Sequence, residues 1–326
     1  MTTYQATGQE LVARYHGEIQ GKVVLTTGVS PGGLGAHFLQ TIAEGQPALL
    51  ILAGRDTLKT QATANEITEK YPKQKFKLLR LDLSSLAAVR VAAQEVLTWS
   101  DVPSIDILVN NAGIMAVPYS LSVDGCESQF ASNHLGHFLF TNLIMPKILA
   151  SPTPRVVTVS SGGHRFGAVR FADLNFDNGA LYEKWTAYGQ SKTANILFAK
   201  SLAQTLGGRG LLSFSIHPGA IVTPLSKHLD LSPGGDGEKR FQLARERGLK
   251  VGFTEAAPRV SKDQGIATHV FTCFAPNLSG YNGKYFTECK PANPYEEEIM
   301  CWATSTVEAN RLWSLSESLV GQKFEY

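Results

Sequence analysis

Lys22-Val-Val-Leu-Thr-Thr27 runs directly into Gly28-Val-Ser-Pro-Gly-Gly-Leu-Gly35, and a helical stretch, Ala36 to Ala43, follows. An apolar β-branched run, a glycine-rich turn and a helix in immediate succession are the setting a dinucleotide-binding turn requires. Glycines let the backbone turn tightly and come close to a pyrophosphate. The next helix offers its free N–H groups and positive end to the phosphates. Gly28, Ser30, Gly33, Leu34 and Gly35 are the turn's candidate contacts. A glycine-rich surface loop is the competing reading of the turn by itself.

Downstream the same alternation repeats. Ala48-Leu-Leu-Ile-Leu-Ala53 reads as a second buried strand, ending at Gly54-Arg55-Asp56. In a dinucleotide fold this point faces the adenosine ribose, where an acid suits a free 2′-hydroxyl and an arginine a 2′-phosphate. Arg55 therefore points to NADP rather than NAD, unless it only snorkels on the surface. Asp56 precedes Thr57-Leu58-Lys59 and is expected to cap the helix over 57–71. Phe76-Lys-Leu-Leu-Arg-Leu81 is the third strand. Asp82 and Leu83 follow it at the adenine edge, and helix capping is the rival role for Asp82. Ile105 to Val109 is the fourth strand, running into Asn110-Asn-Ala-Gly113, and Arg155 to Val159 is the fifth, running into Ser160-Ser161. Leu211 to Ile216 is the sixth, before His217-Pro-Gly219, and Gly283 to Thr287 is the seventh. Strands alternating with helices in this way imply a parallel sheet covered on both faces. Ligands of such sheets bind past the carboxyl ends of the strands. The glycine turn, Arg55, Asp82 and the Asn110–Gly113 segment all fall there.

The reading is an α/β, single-domain, doubly wound Rossmann fold: a seven-stranded, mainly parallel sheet with helices on both faces. Residues 1–20 form a short helix or a loose arm, and 225–262 is a substrate lid with an apolar underside or an ordinary helical excursion. Leu225, Leu229, Phe241, Leu243, Leu249 and Phe253 mark that segment.

Tyr188-Gly-Gln-Ser-Lys192 carries the candidate chemistry. Spacing of four on a helix sets the two side chains on one face. A free phenol titrates near about 10, and an adjacent ammonium favours the phenolate. The pair is a candidate general acid/base, although the same spacing is common on helix surfaces.

Composition excludes several classes. The chain has 326 residues, 43% hydrophobic and 18% charged, with formal net charge +2. No block of like charge calls for nucleic acid or an anionic membrane. No apolar run reaches the length of a membrane span, and Met1 to Gly8 lacks the pattern of a signal peptide. Cys126, Cys273, Cys289 and Cys301 match neither a zinc site nor a disulfide framework. Free thiols and a cytoplasmic location are the expectation. His134 and His137 have the spacing of some metal ligands, but no acidic or cysteine partner lies near them in sequence, and no metal is expected.

The ordered set of motifs resembles the short-chain dehydrogenase/reductase family from about Gly21 to Gly321. The match is nearest its retinol-dehydrogenase-like branch, including fungal relatives. Thr27-Gly28 with Gly33-Leu-Gly35, Asn110-Asn-Ala-Gly113, Asn133-His-Leu-Gly-His137, Val159-Ser-Ser161, Tyr188-Gly-Gln-Ser-Lys192, Ser279 to Tyr285 and Arg311 to Ser316 carry the likeness. The resemblance implies a catalytic set of Asn133, Ser161, Tyr188 and Lys192, with Ser160 as fallback for the serine. Ser161 would hold the substrate oxygen and Tyr188 exchange a proton with it. Lys192 would lower the tyrosine pKa and bond the nicotinamide ribose, and Asn133 would help hold a water relay. The likeness also sets Asn110, Ala112 and Gly113 along the cofactor, and Pro218, Gly219 and Thr223 near the nicotinamide. One departure is the turn itself. The family has three residues between its first two glycines, whereas four separate Gly28 from Gly33, and either Gly32 or Gly33 can serve as the second.

These implications give an NADP-dependent oxidoreductase interconverting a carbonyl and an alcohol. The expected pocket rim of Met115, Val117, Phe166, Tyr182, Trp185 and the lid is apolar, so the substrate is expected to be lipophilic. Reduction of an imine or activated alkene is the same-fold alternative, and a non-catalytic NADP-binding protein the alternative from another class. A homo-oligomer built on helices around 133–149 and 186–206 is a further expectation of the resemblance.

Overall fold

A computed structural model describes residues 6–249, 259–296 and 298–326. The helices are α1 Gly8–Arg14, α2 His16–Ile19, α3 Leu34–Ile42, α4 Thr57–Lys70, α5 Leu86–Thr98, α6 Ser128–Phe130, α7 Gly136–Leu143, α8 Met145–Leu149, α9 Lys184–Leu206, α10 Asp236–Glu246, α11 Lys262–Phe274, α12 Cys301–Thr304 and α13 Thr306–Val320. The strands are β1 Val23–Thr27, β2 Leu49–Gly54, β3 Phe76–Arg80, β4 Ile107–Asn110, β5 Arg155–Val159, β6 Leu212–His217, β7 Tyr285–Thr287 and β8 Lys290–Pro291.

They form one sheet in the order β3-β2-β1-β4-β5-β6-β7-β8. The first seven run parallel, and β8 adds a two-residue antiparallel edge that the sequence did not announce. Alternate strand residues serve opposite faces. Leu25, Ile51, Leu108 and Val156 pack under α5, α7, α9 and α13. Val24, Leu50, Leu52, Val109, Val157 and Ile216 pack under α1, α3 and α11. Because both faces are covered, the strands read as unbroken apolar runs. The chain order reverses between β1 and β4, which opens a crevice at their carboxyl ends.

The N-terminal segment is a docked helix rather than a loose arm. Thr7 and Glu10 form a capping box, and Leu11 and Val12 are buried in the core beside α11. Asp56 caps α4 as its position predicts, accepting from the N–H groups of Leu58 and Lys59. Asp82 does not cap α5, for Ser85 does so by accepting from Ala88 N–H. Asp82 instead accepts from the N–H and hydroxyl of Ser84.

The lid segment forms α10, so the helical reading holds over 236–246. Phe253, assigned to the lid from sequence, lies outside the described residues. The helices set aside for a subunit interface are covered by the chain's own tail. Phe138 of α7 packs edge-on against Trp313 and Phe324, and Phe198 of α9 lies beside Trp313. Tyr326 hydroxyl reaches Asn142 Oδ1 at 2.6 Å.

Candidate active site

A cavity of about 2370 Å³ runs along the carboxyl ends of the strands. At one end stand Gly28, Ser30, Gly33 and Leu34, with Arg55, Asp82 and Leu83 beside them. Ala112 and Gly113 continue the wall towards Ser161, Tyr188 and Lys192, and Pro218, Gly219 and Thr223 close it from the β6 side. Two expected cofactor contacts, Gly35 and Asn110, do not line it, and neither does the expected catalytic Asn133. Gly35 sits behind the turn, where a Cβ would lie 2.5 Å from Asn111 Nδ2 and 2.7 Å from Gly28 O. Asn110 is buried in the core and donates to Thr141 Oγ1. Its neighbour Asn111 lines the cavity instead.

The turn is shaped for a group that comes close to backbone. Gly28 has φ +72°, and a Cβ there would meet Ala112 Cα at 2.6 Å. The extra residue is absorbed by Gly32, at φ +77°, while Gly33 is the extended residue that starts α3. The helix N-terminus and the glycine surface thus fit a dinucleotide pyrophosphate, with Arg55 exposed at the ribose end.

Tyr188 and Lys192 share one face of α9, with the Lys192 Nζ 5.7 Å from the Tyr188 ring centroid. Both are buried. Burial pushes the Tyr188 phenol up to about 12, and the hydrogen-bonding Ser161 hydroxyl pulls the other way. Burial pushes Lys192 down to about 7. From the chain's own atoms alone, desolvation is the largest influence on both groups. Lys192 Nζ donates to Val159 O at 3.0 Å, and Asn195 Nδ2 donates to the same oxygen at 3.0 Å. Gly163 is required where it stands, since a Cβ would lie 2.7 Å from Tyr188 Cε1.

The two serines separate cleanly. Ser160 is buried and donates to Lys192 O at 2.7 Å. Ser161 Oγ accepts from Gly163 N–H at 3.0 Å and faces the cavity with Tyr188. His164, which the sequence did not single out, holds Ser161 in place. Its Nε2 accepts from Met300 N–H, so its Nδ1 carries the proton and donates to Ser161 O at 2.8 Å. Burial lowers its pKa to about 3, which keeps it neutral.

Asn133 sits in a single turn of π-helix, Ala131–Leu135, between α6 and α7. Such widened turns recur at functional sites. Its Oδ1 accepts from Ile114 N–H, and its Nδ2 reaches Ile114 O and Ser191 Oγ. The side chain thus clamps the loop after β4 at Ile114, beside Gly113, where a Cβ would lie 3.4 Å from Lys192 Nζ. A second chain of bonds fixes that turn to the sheet. Thr27 Oγ1 accepts from the N–H groups of Asn111 and Ala112, so its proton goes to His137 Nε2 at 2.9 Å. His137 Nδ1 then donates to Asn133 O at 3.0 Å. His134 bonds Ser316, and among the described residues no group of His, Cys, Asp and Glu is arranged to hold a metal.

Beyond Tyr188 the cavity wall is mixed, with apolar side chains standing beside Glu238, Arg240 and Arg245. Met115, Val117, Phe166 and Trp185 line it, with Leu225, Leu229, Phe241 and Leu249 from the lid. Tyr182, expected on this rim, is not there; its hydroxyl donates to Val117 O and its ring packs on Phe176. Lys184 pairs with Asp236, and Arg247 donates to Phe166 O and Thr186 Oγ1. These contacts clamp both ends of α10 over the start of α9.

A glycine-cradled nucleotide channel that meets a buried tyrosine, serine and lysine defines an NAD(P)-dependent oxidoreductase. A family model for the short chain dehydrogenases matches residues 22–173. Retinol dehydrogenase 14 of Mus musculus is 33% identical over 315 residues, 94% of this chain and 87% of that protein. Retinol dehydrogenase 13 of Homo sapiens is 35% identical over 303 residues, 93% of this chain and 86% of that protein. Among solved structures, an uncharacterised protein from Mycobacterium paratuberculosis superposes with TM-score 0.70 at 31% identity, covering 94% of this chain and 96% of its own. The NADPH-bound carbonyl reductase from chicken fatty liver shares the fold, with TM-score 0.57 at 15% identity over 82% of this chain and 97% of its own. The chain belongs to the short-chain dehydrogenase/reductase family, in its retinol-dehydrogenase-like branch.

Proposed function

We propose that the protein is an NADP-dependent reductase or dehydrogenase interconverting a carbonyl and an alcohol on a lipophilic small molecule. The observation that carries this reading is the position of Tyr188. It stands with Ser161 and Lys192 where the glycine-walled channel meets the chamber under α10. Arg55, with no acid in the position that would bind a free ribose hydroxyl, supports NADP over NAD. Four unpaired cysteines support a reducing, cytoplasmic setting.

The nucleotide, when bound, supplies or accepts the hydride. The chain's own part is placement and proton transfer. Gly28, Ser30, Gly33 and Leu34 would hold the pyrophosphate, Asp82 and Leu83 the adenine, and Ala112 and Gly113 the middle of the cofactor. Pro218, Gly219 and Thr223 would hold the nicotinamide. Ser161 Oγ, fixed by Gly163 and His164, donates to the carbonyl oxygen. Tyr188, held protonated by burial, gives that oxygen its proton during reduction and recovers one through Lys192. Asn133 keeps the Gly113–Ile114 segment behind Lys192 in register and is the anchor of any water relay there.

Tyr188→Phe is the test, with NADPH consumption followed on a panel of lipophilic ketones, aldehydes and imines. Losing a positioned acid costs about 10²–10⁴ in rate, while NADPH binding should stay within a factor of a few. Activity retained in this variant overturns the assignment, and consumption on imines alone replaces the carbonyl.

A further inference from the structure

Among the described residues, Arg240 lines the cavity with no carboxylate to pair it. Arg240 projects from α10 into the cavity. Its guanidinium carbon lies 4.3 Å from the Phe241 ring centroid and 6.0 Å from that of Trp185. Among the described residues it has no carboxylate within ion-pair distance and no hydrogen-bond acceptor. The acids of its own helix are engaged elsewhere: Asp236 with Lys184, Glu238 with Gly234 N–H, and Glu246 with Gln242. A guanidinium does not shed its proton at neutral pH, so its partial loss of water is offset only by the faces of Phe241 and Trp185 and by no carboxylate among the described residues. Burial lowers its pKa, with no acid raising it again.

A second donor lies beside it. Trp185 is 5% exposed and lines the same cavity, and its indole Nε1 is buried without an acceptor. Buried indole N–H groups ordinarily find one. Trp185 precedes Tyr188 by three positions on α9, one turn along the same face. Arg240 and Trp185 thus stand together on the wall of the cavity, with Trp185 one helical turn from Tyr188.

We propose that this chamber takes a lipophilic oxo-acid, a compound with a reducible carbonyl at Tyr188 and a carboxylate received by Arg240 with Trp185 beside it. A carboxylate matches the guanidinium fork bidentately, and the apolar body would lie along Met115, Phe166, Leu229 and Leu249. The inference rests on reading Tyr188 as the site of carbonyl reduction, but its carboxylate arm stands on Arg240 alone and is tested without turnover.

The test is a fluorescence titration of the NADP⁺-saturated protein with octanoate and with octan-1-ol. Wild type should bind octanoate on the order of ten-fold or more tighter, the effect of one charge-assisted hydrogen-bond pair. Arg240→Met should lose that preference while binding octan-1-ol as before, and Arg240→Lys should restore part of it. Equal affinities in wild type, or a preference that survives Arg240→Met, overturns the proposal; the wild-type comparison decides even if a variant misfolds. Because no catalysis is read, a failed Tyr188 assignment and a failed Arg240 assignment give different results.

Discussion

Lys192→Met should stabilise the folded protein while abolishing its chemistry, and the gain should depend on pH in a set direction. Lys192 is 4% exposed and its pKa falls from 10.5 to about 7 on folding. At about 1.4 kcal/mol for each tenfold change in proton affinity, that fall corresponds to an upper bound of roughly 5 kcal/mol. The folded pKa is the lower one, so the unfolded chain holds the proton more tightly. The penalty is complete below about pH 7 and fades as pH rises towards 10.5. Methionine has similar length and no charge to desolvate. The variant forfeits the bond from Nζ to Val159 O, but Asn195 still donates to that oxygen, so no acceptor is orphaned. That loss is about 1 kcal/mol, and packing adjustments take more. A net gain of about 2 kcal/mol near pH 6.5 is expected, falling through zero near about pH 8.5 and becoming a net loss by about pH 10, where the burial penalty has gone but the lost bond and packing remain. Urea unfolding of both proteins at several pH values measures it. A variant less stable than wild type at pH 6.5, or a difference that does not change with pH, refutes the claim that burial of the ammonium is held at a cost.

Arg55→Ala should weaken NADPH binding by about ten-fold or more and leave NADH binding nearly unchanged, since only the first carries a 2′-phosphate for the guanidinium to pair; isothermal titration with both nucleotides decides it. Gly28→Ala should destroy nucleotide binding, because the new methyl meets Ala112 Cα at 2.6 Å and φ is +72°; nucleotide protection against thermal unfolding should vanish. Thr27→Val leaves Ala112 N–H without its acceptor and His137 Nε2 without its donor, while Asn111 N–H keeps Val109 O. A loss of about 2–4 kcal/mol in stability is expected from those buried orphans, read by urea midpoint.

What the sequence made legible, and what it hid, follow one physical division. Strand runs such as Leu49–Gly54 are apolar throughout because both faces of the sheet are covered, so their identity needs no partner to be read. Tyr188 and Lys192 could be paired because a helix fixes their spacing. Asn110 and Asn111 could not be told apart, because which of two adjacent amides faces the cavity depends on the pleat at the end of β4. Tyr182 and Trp185 both looked like rim residues. Only the 2.9 Å bond to Val117 O shows that the former braces a loop. His164 and His137 were invisible as positioning groups, since their partners Met300 and Thr27 lie 136 and 110 residues away.

The weight of burial at the pair was hidden for a related reason. Proximity in sequence supplies the sign of a charge interaction but says nothing of solvent, and solvent decides here. With both groups buried, Lys192 approaches neutrality and Tyr188 becomes a weaker acid, so neither can be treated as the fixed charge that sets the other. The pair is better described as two largely desolvated groups side by side on the cavity wall. For reduction that arrangement is favourable. Under the proposed function, a phenol held protonated by burial would be ready to donate, and a lysine whose pKa burial depresses would return the proton without leaving its bond to Val159 O. A pH profile for reduction that falls through the neutral range, rather than at the value of a free phenol, would show Lys192 and not Tyr188 as the group whose charge limits the rate.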